Sequence, residues 1–324
     1  MNAKIYSKYP ITDHFDGKRF YHAGLSADKN PFVLLKWNLN RPDAAYPEWT
    51  ENKFEPQLNL PLRPNEMAVT YVNHSTFLIQ INGVNFLTDP IWAERVSPFS
   101  FAGPKRVRPP GIKFENLPKI DFVLVSHNHY DHMDIETLKK IHERDKSIFY
   151  MPLANSIYFE HVKNMQIIEL DWWQSHQHNP KFKITLVPAQ HWSARGLIDR
   201  RKALWGGFVV EAENKKIFFA GDTGYSDKIF KQIGEKFKSV DLSFIPIGAY
   251  EPRWFMKSYH NNPDEAVLIH QDIRSKQSVG MHFGCFRLSD EKWGQAEIDL
   301  ANAKIKYKVD QFTIVDVGET KLFK

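Results

Sequence analysis

The feature that most constrains this chain is a cluster of four potential metal ligands at residues 127–132, which read His-Asn-His-Tyr-Asp-His. A nearly continuous apolar run at residues 121–126 precedes the cluster and is typical of a buried strand. From Asp134 onward the apolar residues recur at helical spacing, and Asp134 is suited to cap that helix. Imidazole and carboxylate groups where a buried strand meets a helix are costly to desolvate, so their clustering there indicates a metal site.

The spacing within the cluster predicts two metal ions. In an extended chain, residues two apart point to the same side, so His127, His129 and Asp131 can converge. His132 breaks this alternation and requires a change of backbone direction. That change lets Asp131 and His132 reach a second ion while His127 and His129 hold the first.

Isolated ligand-type residues recur where later predicted strands end. His191, Asp222 and His282 each follow such a strand, and with the cluster they supply the seven ligands that a pair of ions needs. Two ions that share one carboxylate lie about 3.5–4 Å apart and can hold a hydroxide between them. Asp89 also ends a predicted strand and can orient a ligand imidazole from behind. The predicted metal ligands are His127, His129, Asp131, His132, His191, Asp222 and His282.

Composition limits the cellular setting and the partners. Lys and Arg number 43 against 38 Asp and Glu, an excess of five that suits an anionic substrate or membrane surface and equally a soluble basic protein. The single cysteine, Cys285, excludes an internal disulfide and fits a reducing compartment. The first residues lack the apolar core of a signal peptide, and no stretch reaches the roughly 20 apolar residues of a membrane span. We therefore expect a cytoplasmic protein that is not secreted.

The pattern along the chain divides it near residue 65. Residues 1–65 are aromatic and punctuated by proline, and we interpret them as an extension that packs on the core. A short amphipathic helix is expected within residues 31–42, with core packing favoured over membrane contact. Residues 66–324 alternate strands with helices, which predicts an α/β or α+β domain of two sheets covered by helices. An Asn-Gly pair at residues 82–83 predicts a tight hairpin.

Two functional classes are disfavoured by missing signals. No glycine-rich phosphate loop stands at a suitable strand end, so a nucleotide cofactor is not expected. No dense basic patch interleaves with aromatic residues, so a nucleic-acid partner is not expected either. The proline-rich basic loop at residues 97–111 fits a substrate rim as well as it fits a solvated loop.

These motifs together resemble the metallo-beta-lactamase superfamily. Longer stretches are similar to one branch of it, the N-acylphosphatidylethanolamine-hydrolysing phospholipases D. They include residues 87–90 (Leu-Thr-Asp-Pro), 190–192 (Gln-His-Trp), 218–225 around Gly-Asp-Thr-Gly-Tyr, and 245–257 around Gly-Ala-Tyr-Glu-Pro-Arg-Trp. The similarity runs from about residue 31 to the C-terminus.

The resemblance implies an α+β fold, specifically an αββα sandwich of two similar halves with a dinuclear zinc centre at one edge. It also implies how the ligands divide between the ions. One zinc would be held by His127, His129 and His191, and the other by Asp131, His132 and His282, with Asp222 as the bridge. Imidazole and carboxylate ligands suit zinc, although iron or manganese would also fit them.

The reaction implied by the resemblance is hydrolysis of the distal phosphodiester bond of an N-acylated phosphatidylethanolamine, which gives an N-acylethanolamine and phosphatidic acid. His260 would lie beside the phosphate and donate a hydrogen bond or a proton, while Asp131 could accept the proton of the nucleophile. The residues expected to bind substrate are Trp192, Arg253, Trp254 and Lys257. The family further implies a homodimer and peripheral contact with the inner face of a membrane.

Other functions stay open at this point. A hydrolase of the same superfamily could act on a smaller ester, lactone or soluble phosphodiester, which the absence of an exposed apolar entrance would favour. A nuclease is disfavoured by the modest basic excess. A metal-stabilised scaffold without turnover is disfavoured by the complete ligand set together with His260.

Overall fold

The computed structural model describes residues 9–22 and 45–324, together with the single residues Val33, Trp37 and Leu39. The helix expected within residues 31–42 therefore lies mostly outside the described residues. Of that segment, Trp37 contacts the core, because its indole Nε1 donates to Asp290 Oδ2 at 2.6 Å. Its ring also packs on Phe255, with centroids 5.1 Å apart.

Strands and helices account for most of the described core. The strands are β1 (Met67–Asn73), β2 (Thr76–Ile81), β3 (Val84–Thr88), β4 (Phe122–Leu124), β5 (Ile148–Pro152), β6 (Gln166–Leu170), β7 (Ser175–Asn179), β8 (Phe182–Val187), β9 (Gly207–Ala212), β10 (Lys215–Phe219), β11 (Val240–Pro246), β12 (Ser275–Met281), β13 (Phe312–Thr313) and β14 (Thr320–Phe323). The helices are α1 (Ile135–Asp145), α2 (Asp227–Phe237), α3 (Arg253–Met256), α4 (Pro263–Asp272) and α5 (Gln295–Tyr307).

The strands form two seven-stranded sheets with the same internal plan. The first has the order β14-β1-β2-β3-β4-β5-β6, and the second has the order β13-β12-β11-β10-β9-β8-β7. In the first sheet an antiparallel meander, β1 to β3, continues into the parallel strands β4 to β6. In the second sheet the meander β8 to β10 continues into the parallel strands β11 to β13. The chain therefore consists of two halves of similar topology.

Alternate residues of the central strands face different apolar layers. In β2, Phe77 points between the sheets, where its ring centroid lies 4.5 Å from that of Phe244 in β11. Its neighbour Leu78 belongs to a separate cluster with Leu138 and Ile141 of α1, which covers the outer face of the first sheet. Strands buried on both faces explain the nearly continuous apolar runs in the sequence. This layering confirms the expected αββα sandwich of the α+β class.

The described part of the N-terminal segment, residues 9–22, packs against the core. Phe15 and Phe20 are fully buried in the layer between the sheets. His14 contacts Asp171 through its Nε2, 2.7 Å from the carboxylate Oδ1. Within the described residues, no helix combines the length and the apolar character needed to cross a bilayer.

Candidate metal centre

The predicted ligands lie just beyond the carboxyl ends of four strands. His127 follows β4, His191 follows β8, Asp222 follows β10 and His282 follows β12. Parallel strands present these ends at the same sheet edge, and the two sheets bring their edges together. The structure thus gathers all seven predicted ligands into one site.

Three imidazoles form one potential ligand set, which we call the three-histidine set: His127, His129 and His191. His127 Nε2 lies 2.9 Å from His129 Nδ1, and His191 Nε2 lies 3.2 Å from the same atom. Nitrogen ligands about 2.0–2.1 Å from a tetrahedral ion lie roughly 3.4 Å from one another. The spacing of these nitrogens is therefore close to what a single ion requires.

A second set, which we call the carboxylate set, consists of Asp131, His132 and His282. Asp131 Oδ2 lies 3.5 Å from His132 Nε2 and 3.4 Å from His282 Nε2. Asp222 closes this set, since its carboxylate lies 3.2 Å from His132 Nε2 and 3.1 Å from His282 Nε2. Asp222 Oδ2 is also 3.8 Å from His191 Nε2, so Asp222 stands between the two sets, where a bridging ligand would be needed.

The outer ring nitrogens of three ligands are held by hydrogen bonds that turn the inner nitrogens toward the site. His132 Nδ1 lies 2.6 Å from Asp89 Oδ2, and His191 Nδ1 lies 2.9 Å from the carbonyl oxygen of Tyr259. His127 Nδ1 lies 2.9 Å from the hydroxyl of Ser126. Acceptors at these positions place the imidazole proton on the outer nitrogen, which leaves the inner lone pair for a metal. Asp89 thus stands where it can orient a ligand.

Burial keeps the three-histidine set uncharged. It lowers the pKa of His127 and of His191 well below the usual 6.5, and neighbouring histidines lower both further. Burial also lowers the pKa of His129, to about 4. At neutral pH all three imidazoles are therefore neutral, which is the form that binds a metal.

The carboxylate set, in contrast, contains charged groups. Burial raises the pKa of Asp222, but His132 and His282 outweigh it and hold that pKa well below its usual range. Burial likewise lowers the pKa of His282, but Asp222 and Asp131 outweigh it and raise that pKa to about 9. The buried Asp222 and the partly buried Asp131 therefore require positive charge beside them, which either protonated imidazoles or a cation can supply.

Several buried polar atoms at the centre of the site lack hydrogen-bond partners, as expected where a metal binds. Buried atoms without a hydrogen bond of good geometry among the described residues include His132 Nε2, His282 Nε2 and Asp222 Oδ1. Buried polar atoms in native proteins rarely lack a partner. Unpaired donors and acceptors, neutral imidazoles and excess buried carboxylate together fit a pair of divalent cations.

A further histidine, which the sequence analysis did not single out, enters the carboxylate set. His74 is fully buried, and its Nε2 lies 3.2 Å from Asp131 Oδ2. It occupies the turn between β1 and β2, where its φ of +47° is in the left-handed region. An isolated histidine in a short turn carries no spacing signal, so the sequence did not reveal it.

A cleft opens over the metal centre. Its volume is about 340 Å³, and His129, Asp131 and Asp222 line its floor. His260 lines its wall with Nδ1 3.8 Å from Asp222 Oδ2, and burial lowers the pKa of His260 to about 4. Trp192 also lines the cleft, with its ring centroid 4.4 Å from that of His129.

The other predicted substrate contacts lie farther from the cleft. The guanidinium of Arg253 donates to Glu265 Oε2 at 2.6 Å and to the carbonyl oxygen of His260 at 2.9 Å. Arg253 therefore supports the backbone of His260. Trp254 and Lys257 are exposed and are not among the cleft-lining residues.

Arg195 lines the cleft and belongs to the second half of the chain. It contacts residues 127–133, the loop that carries four of the predicted ligands, which we call the ligand loop. Its Nη1 donates to the carbonyl oxygens of Met133 at 2.7 Å and Asn128 at 3.0 Å. Its guanidinium also stacks over the ring of Tyr130 at 3.9 Å. These contacts fix residues 128–133 and with them the ligands that this loop carries.

The αββα fold and its ligand cluster define the class of this protein as a metallo-hydrolase of the beta-lactamase type. The profile of the beta-lactamase superfamily domain matches residues 84–283. The N-acyl-phosphatidylethanolamine-hydrolyzing phospholipase D 1 of Caenorhabditis elegans is 43% identical over 266 residues, which cover 78% of this chain and 75% of that protein. The chain therefore belongs to the beta-lactamase superfamily and, within it, to the family of the N-acyl-phosphatidylethanolamine-hydrolyzing phospholipases D.

More distant matches share either the family or only the fold. The mitochondrial N-acyl-phosphatidylethanolamine-hydrolyzing phospholipase D of Saccharomyces cerevisiae is 36% identical over 227 residues, 68% of this chain and 48% of that protein. Among solved structures, the metallo hydrolase Igni18 of Ignicoccus hospitalis superposes with a TM-score of 0.60 at 23% identity, covering 80% of this chain and 99% of its own. An isothiocyanate hydrolase from Delia radicum gut bacteria gives 0.62 at 19% identity, covering 80% and 100%. These two structures are similar in fold.

Proposed function

We propose that the protein is a phosphodiesterase of the phospholipase D type that hydrolyses N-acylphosphatidylethanolamine or a related phospholipid. The reaction breaks the bond between phosphorus and the ethanolamine oxygen and adds the oxygen of water to phosphorus. One proton of that water ends on the released N-acylethanolamine, and phosphatidic acid is the other product. The observation that carries the proposal is the cleft, in which ligands for two ions and His260 face the same space.

We propose two zinc ions as the cofactor, and the ligands of both sets fit this metal, although iron or manganese would also suit them. The three-histidine set would hold the first ion and the carboxylate set the second, with Asp222 between them. When bound, two such ions lower the pKa of water and polarise a phosphoryl oxygen. No nucleotide cofactor is part of the proposal.

The chain's own residues supply orientation and hydrogen bonds. The low pKa of His260 makes its imidazole neutral near pH 7. We therefore assign it the role of a hydrogen-bond donor to a phosphoryl oxygen of the substrate. Arg253 holds this histidine through its carbonyl oxygen. We assign Asp131 the role of a ligand that also accepts the proton of the nucleophile, since its carboxylate lines the cleft floor in the ionised form.

An apolar rim supports a lipid substrate over a smaller one. Phe99 and Phe101 follow the cleft-lining Val96 along the chain, and Leu197 and Ile198 follow Arg195. All four side chains are more than half exposed, as is that of Trp254. Exposed apolar groups on segments that adjoin cleft-lining residues mark an interaction surface, and a bilayer that offers the substrate is the partner we propose.

The size of the cleft also supports a substrate that remains partly in a bilayer. A volume of about 340 Å³ is at the lower end for a drug-sized ligand. A phospholipid with several acyl chains is larger than that, so its chains would remain largely in the bilayer while its head group enters. We assign Trp192 to the head group in the cleft, and Trp254 and Lys257 to the membrane surface beside it.

We also propose the setting in which the enzyme works. Its single cysteine, Cys285, is buried and free, which fits a reducing compartment such as the cytoplasm. The exposed apolar rim supports peripheral attachment to the inner face of a membrane. The family resemblance supports a homodimer. Light scattering of the purified protein tests this, because one chain has a mass of 37.9 kDa.

The test is a mass-spectrometric assay of the zinc-loaded protein with N-acylphosphatidylethanolamine in mixed micelles. We expect N-acylethanolamine and phosphatidic acid in equal amounts, with loss of both after chelation and in the D222N variant. If two bound ions are measured and neither product appears, the lipid substrate is wrong. In that case the assay moves to small esters, lactones and soluble phosphodiesters.

The rim is tested separately by liposome sedimentation of the F101S and I198S variants. Both residues are exposed and lie outside the cleft, so we expect weaker liposome binding with unchanged hydrolysis of a substrate dispersed in detergent. Liposome binding equal to that of the wild-type protein would remove the rim from the membrane contact.

A further inference from the structure

A side chain outside the seven predicted ligands contacts one of them directly. His74 Nε2 lies 3.2 Å from Asp131 Oδ2, and the ring of His74 lies 4.0 Å, centroid to centroid, from that of His282. His74 is fully buried. Its imidazole therefore has no access to bulk water, and this contact fills the environment of Nε2.

The backbone of His74 is fixed to the segment that carries another ligand. Its carbonyl oxygen accepts hydrogen bonds from the amide of His282 at 2.8 Å and from the hydroxyl of Tyr71 at 2.8 Å. Its amide donates to Cys285 Sγ at 3.1 Å. His74 thus joins Asp131 from the first half of the chain to residues 282–285 from the second.

The chemistry of the pair determines which atom donates. An ionised carboxylate only accepts hydrogen bonds, so Nε2 of His74 must carry the proton that points at Asp131 Oδ2. That oxygen has two lone pairs. If one accepts from His74, the other is free to face the space between His132 and His282, whose Nε2 atoms lie 3.5 and 3.4 Å away.

We propose that His74 is a positioning residue whose Nε2–H hydrogen bond to Asp131 Oδ2 sets the orientation of that carboxylate as a metal ligand and so determines affinity for the second ion. The proposal rests on the dinuclear centre of the proposed function and is independent of the lipid substrate. His74 acts through Asp131, since its own Nε2 donates a proton and has no lone pair to offer. Hydrogen bonds of this kind to a ligand change metal affinity about 10- to 100-fold.

The experiment compares three substitutions of His74 in the full chain. Glutamine carries an amide N–H near the position of Nε2 and keeps the donor, whereas asparagine is too short to reach Asp131 and leucine has no donor. The metal-free proteins are titrated with Zn²⁺ against a chromophoric chelator, which resolves the two ions without any substrate. The H270L variant is the matched control, because His270 is also buried but pairs with Ser278, away from the site.

We expect H74L and H74N to bind the second ion about 10- to 100-fold more weakly while the first ion is unaffected. H74Q and H270L should keep both affinities. The thermal midpoints of the metal-free proteins, measured by circular dichroism, show whether each variant folds. If H74L does not fold, the comparison of H74N with H74Q carries the test.

Two results would overturn the proposal. Unchanged affinity for the second ion in H74N and H74L would show that the hydrogen bond does not orient Asp131. Equal loss in H74Q and H74L would mean that His74 acts by packing or as a ligand itself. Either outcome leaves the lipid assay unaffected, and a failed lipid assay leaves the titration unaffected, so the two proposals fail separately.

Discussion

Replacing Asp89 by asparagine should weaken the second metal site while leaving the fold nearly intact. Asp89 is fully buried, and its carboxylate accepts from the amide and hydroxyl of Ser126 at 2.7 and 2.6 Å and from His132 Nδ1 at 2.6 Å. In D89N an amide NH₂ group can face His132. Its hydrogens would pair with Nδ1 only in the tautomer that carries the proton on Nε2, the nitrogen that must be free for the metal.

D89N should change the unfolding free energy of the metal-free protein little and the affinity for the second ion more, and this contrast makes the test specific. Burial raises the pKa of Asp89 even though His132 and Ser126 bond to it, so the surroundings disfavour its charge. Asparagine has nearly the same shape and no charge, so it removes the free-energy cost of burying the Asp89 charge. We therefore expect the metal-free protein to lose only about 1 kcal/mol of unfolding free energy. Loss of the ligand orientation should lower affinity for the second ion about 10- to 100-fold, or about 1.4 to 2.7 kcal/mol.

The assay is the zinc titration of metal-free protein, combined with urea unfolding of the same samples. The matched control is D241N, because Asp241 is also buried but pairs with Lys276 and the amide of Lys216, at the opposite end of its strand from the site. D241N should lower stability without changing either affinity. The reasoning would be refuted if D89N bound the second ion as tightly as wild type, or if it lost both ions equally.

Three other changes follow from contacts at the site and at the N-terminal segment. H260A should lower kcat about 100-fold with both ions still bound, because the phosphoryl oxygen loses a hydrogen-bond donor, and an unchanged kcat would remove His260 from the chemistry. R195M should cost about 3 kcal/mol of unfolding free energy and weaken both ions, because two carbonyl oxygens of the ligand loop lose a charged donor; equal urea midpoints would contradict this. Burial lowers the pKa of His14, but its bonds to Asp171 and Asp13 outweigh burial and raise that pKa above 6.5. Protonated His14 thus stabilises docking of residues 9–22 at low pH, and this stabilisation is lost as pH rises through the raised pKa. Hydrogen exchange in the segment should lose protection as the pH rises from about 6.5 through the raised pKa in wild type but not in H14Q.

The ligand cluster could be predicted from the sequence because its chemistry is expressed locally. His127 to His132 are close in the chain, and strand ends position the isolated ligands His191, Asp222 and His282. A buried strand also leaves an apolar run that can be recognised without knowledge of its partners. The hairpin at residues 82–83 is present, joining β2 to β3, for the same reason.

The residues that were missed depend on contacts between distant segments. His74 and Arg195 act through Asp131 and through carbonyl oxygens of the ligand loop, which are far from them in the chain. The bond of the Arg253 guanidinium to Glu265 is likewise a contact that its sequence motif does not reveal. Only the three-dimensional arrangement identifies such partners.

Some strands are made by tertiary pairing more than by local pattern. β7 contains the polar sequence Ser-His-Gln-His-Asn at residues 175–179, which has no apolar alternation to indicate a strand. β13 is limited to Phe312–Thr313, and β14 pairs with β1 from the other end of the domain. These elements lie at or near sheet edges or pair with strands far away in the chain, where burial patterns are weakest.

The point at which each sheet can be completed during synthesis follows from where its strands lie in the chain. Six strands of the first sheet lie between residues 67 and 170, but the seventh, β14, begins only at Thr320 and pairs with β1. When only the first half of the chain has emerged from the ribosome, the ligand loop (residues 127–133) is present but His191, Asp222 and His282 are not. For the dinuclear centre that we propose, stable capture of both ions must therefore wait until the second sheet has emerged, so cofactor acquisition would be a late event in biogenesis.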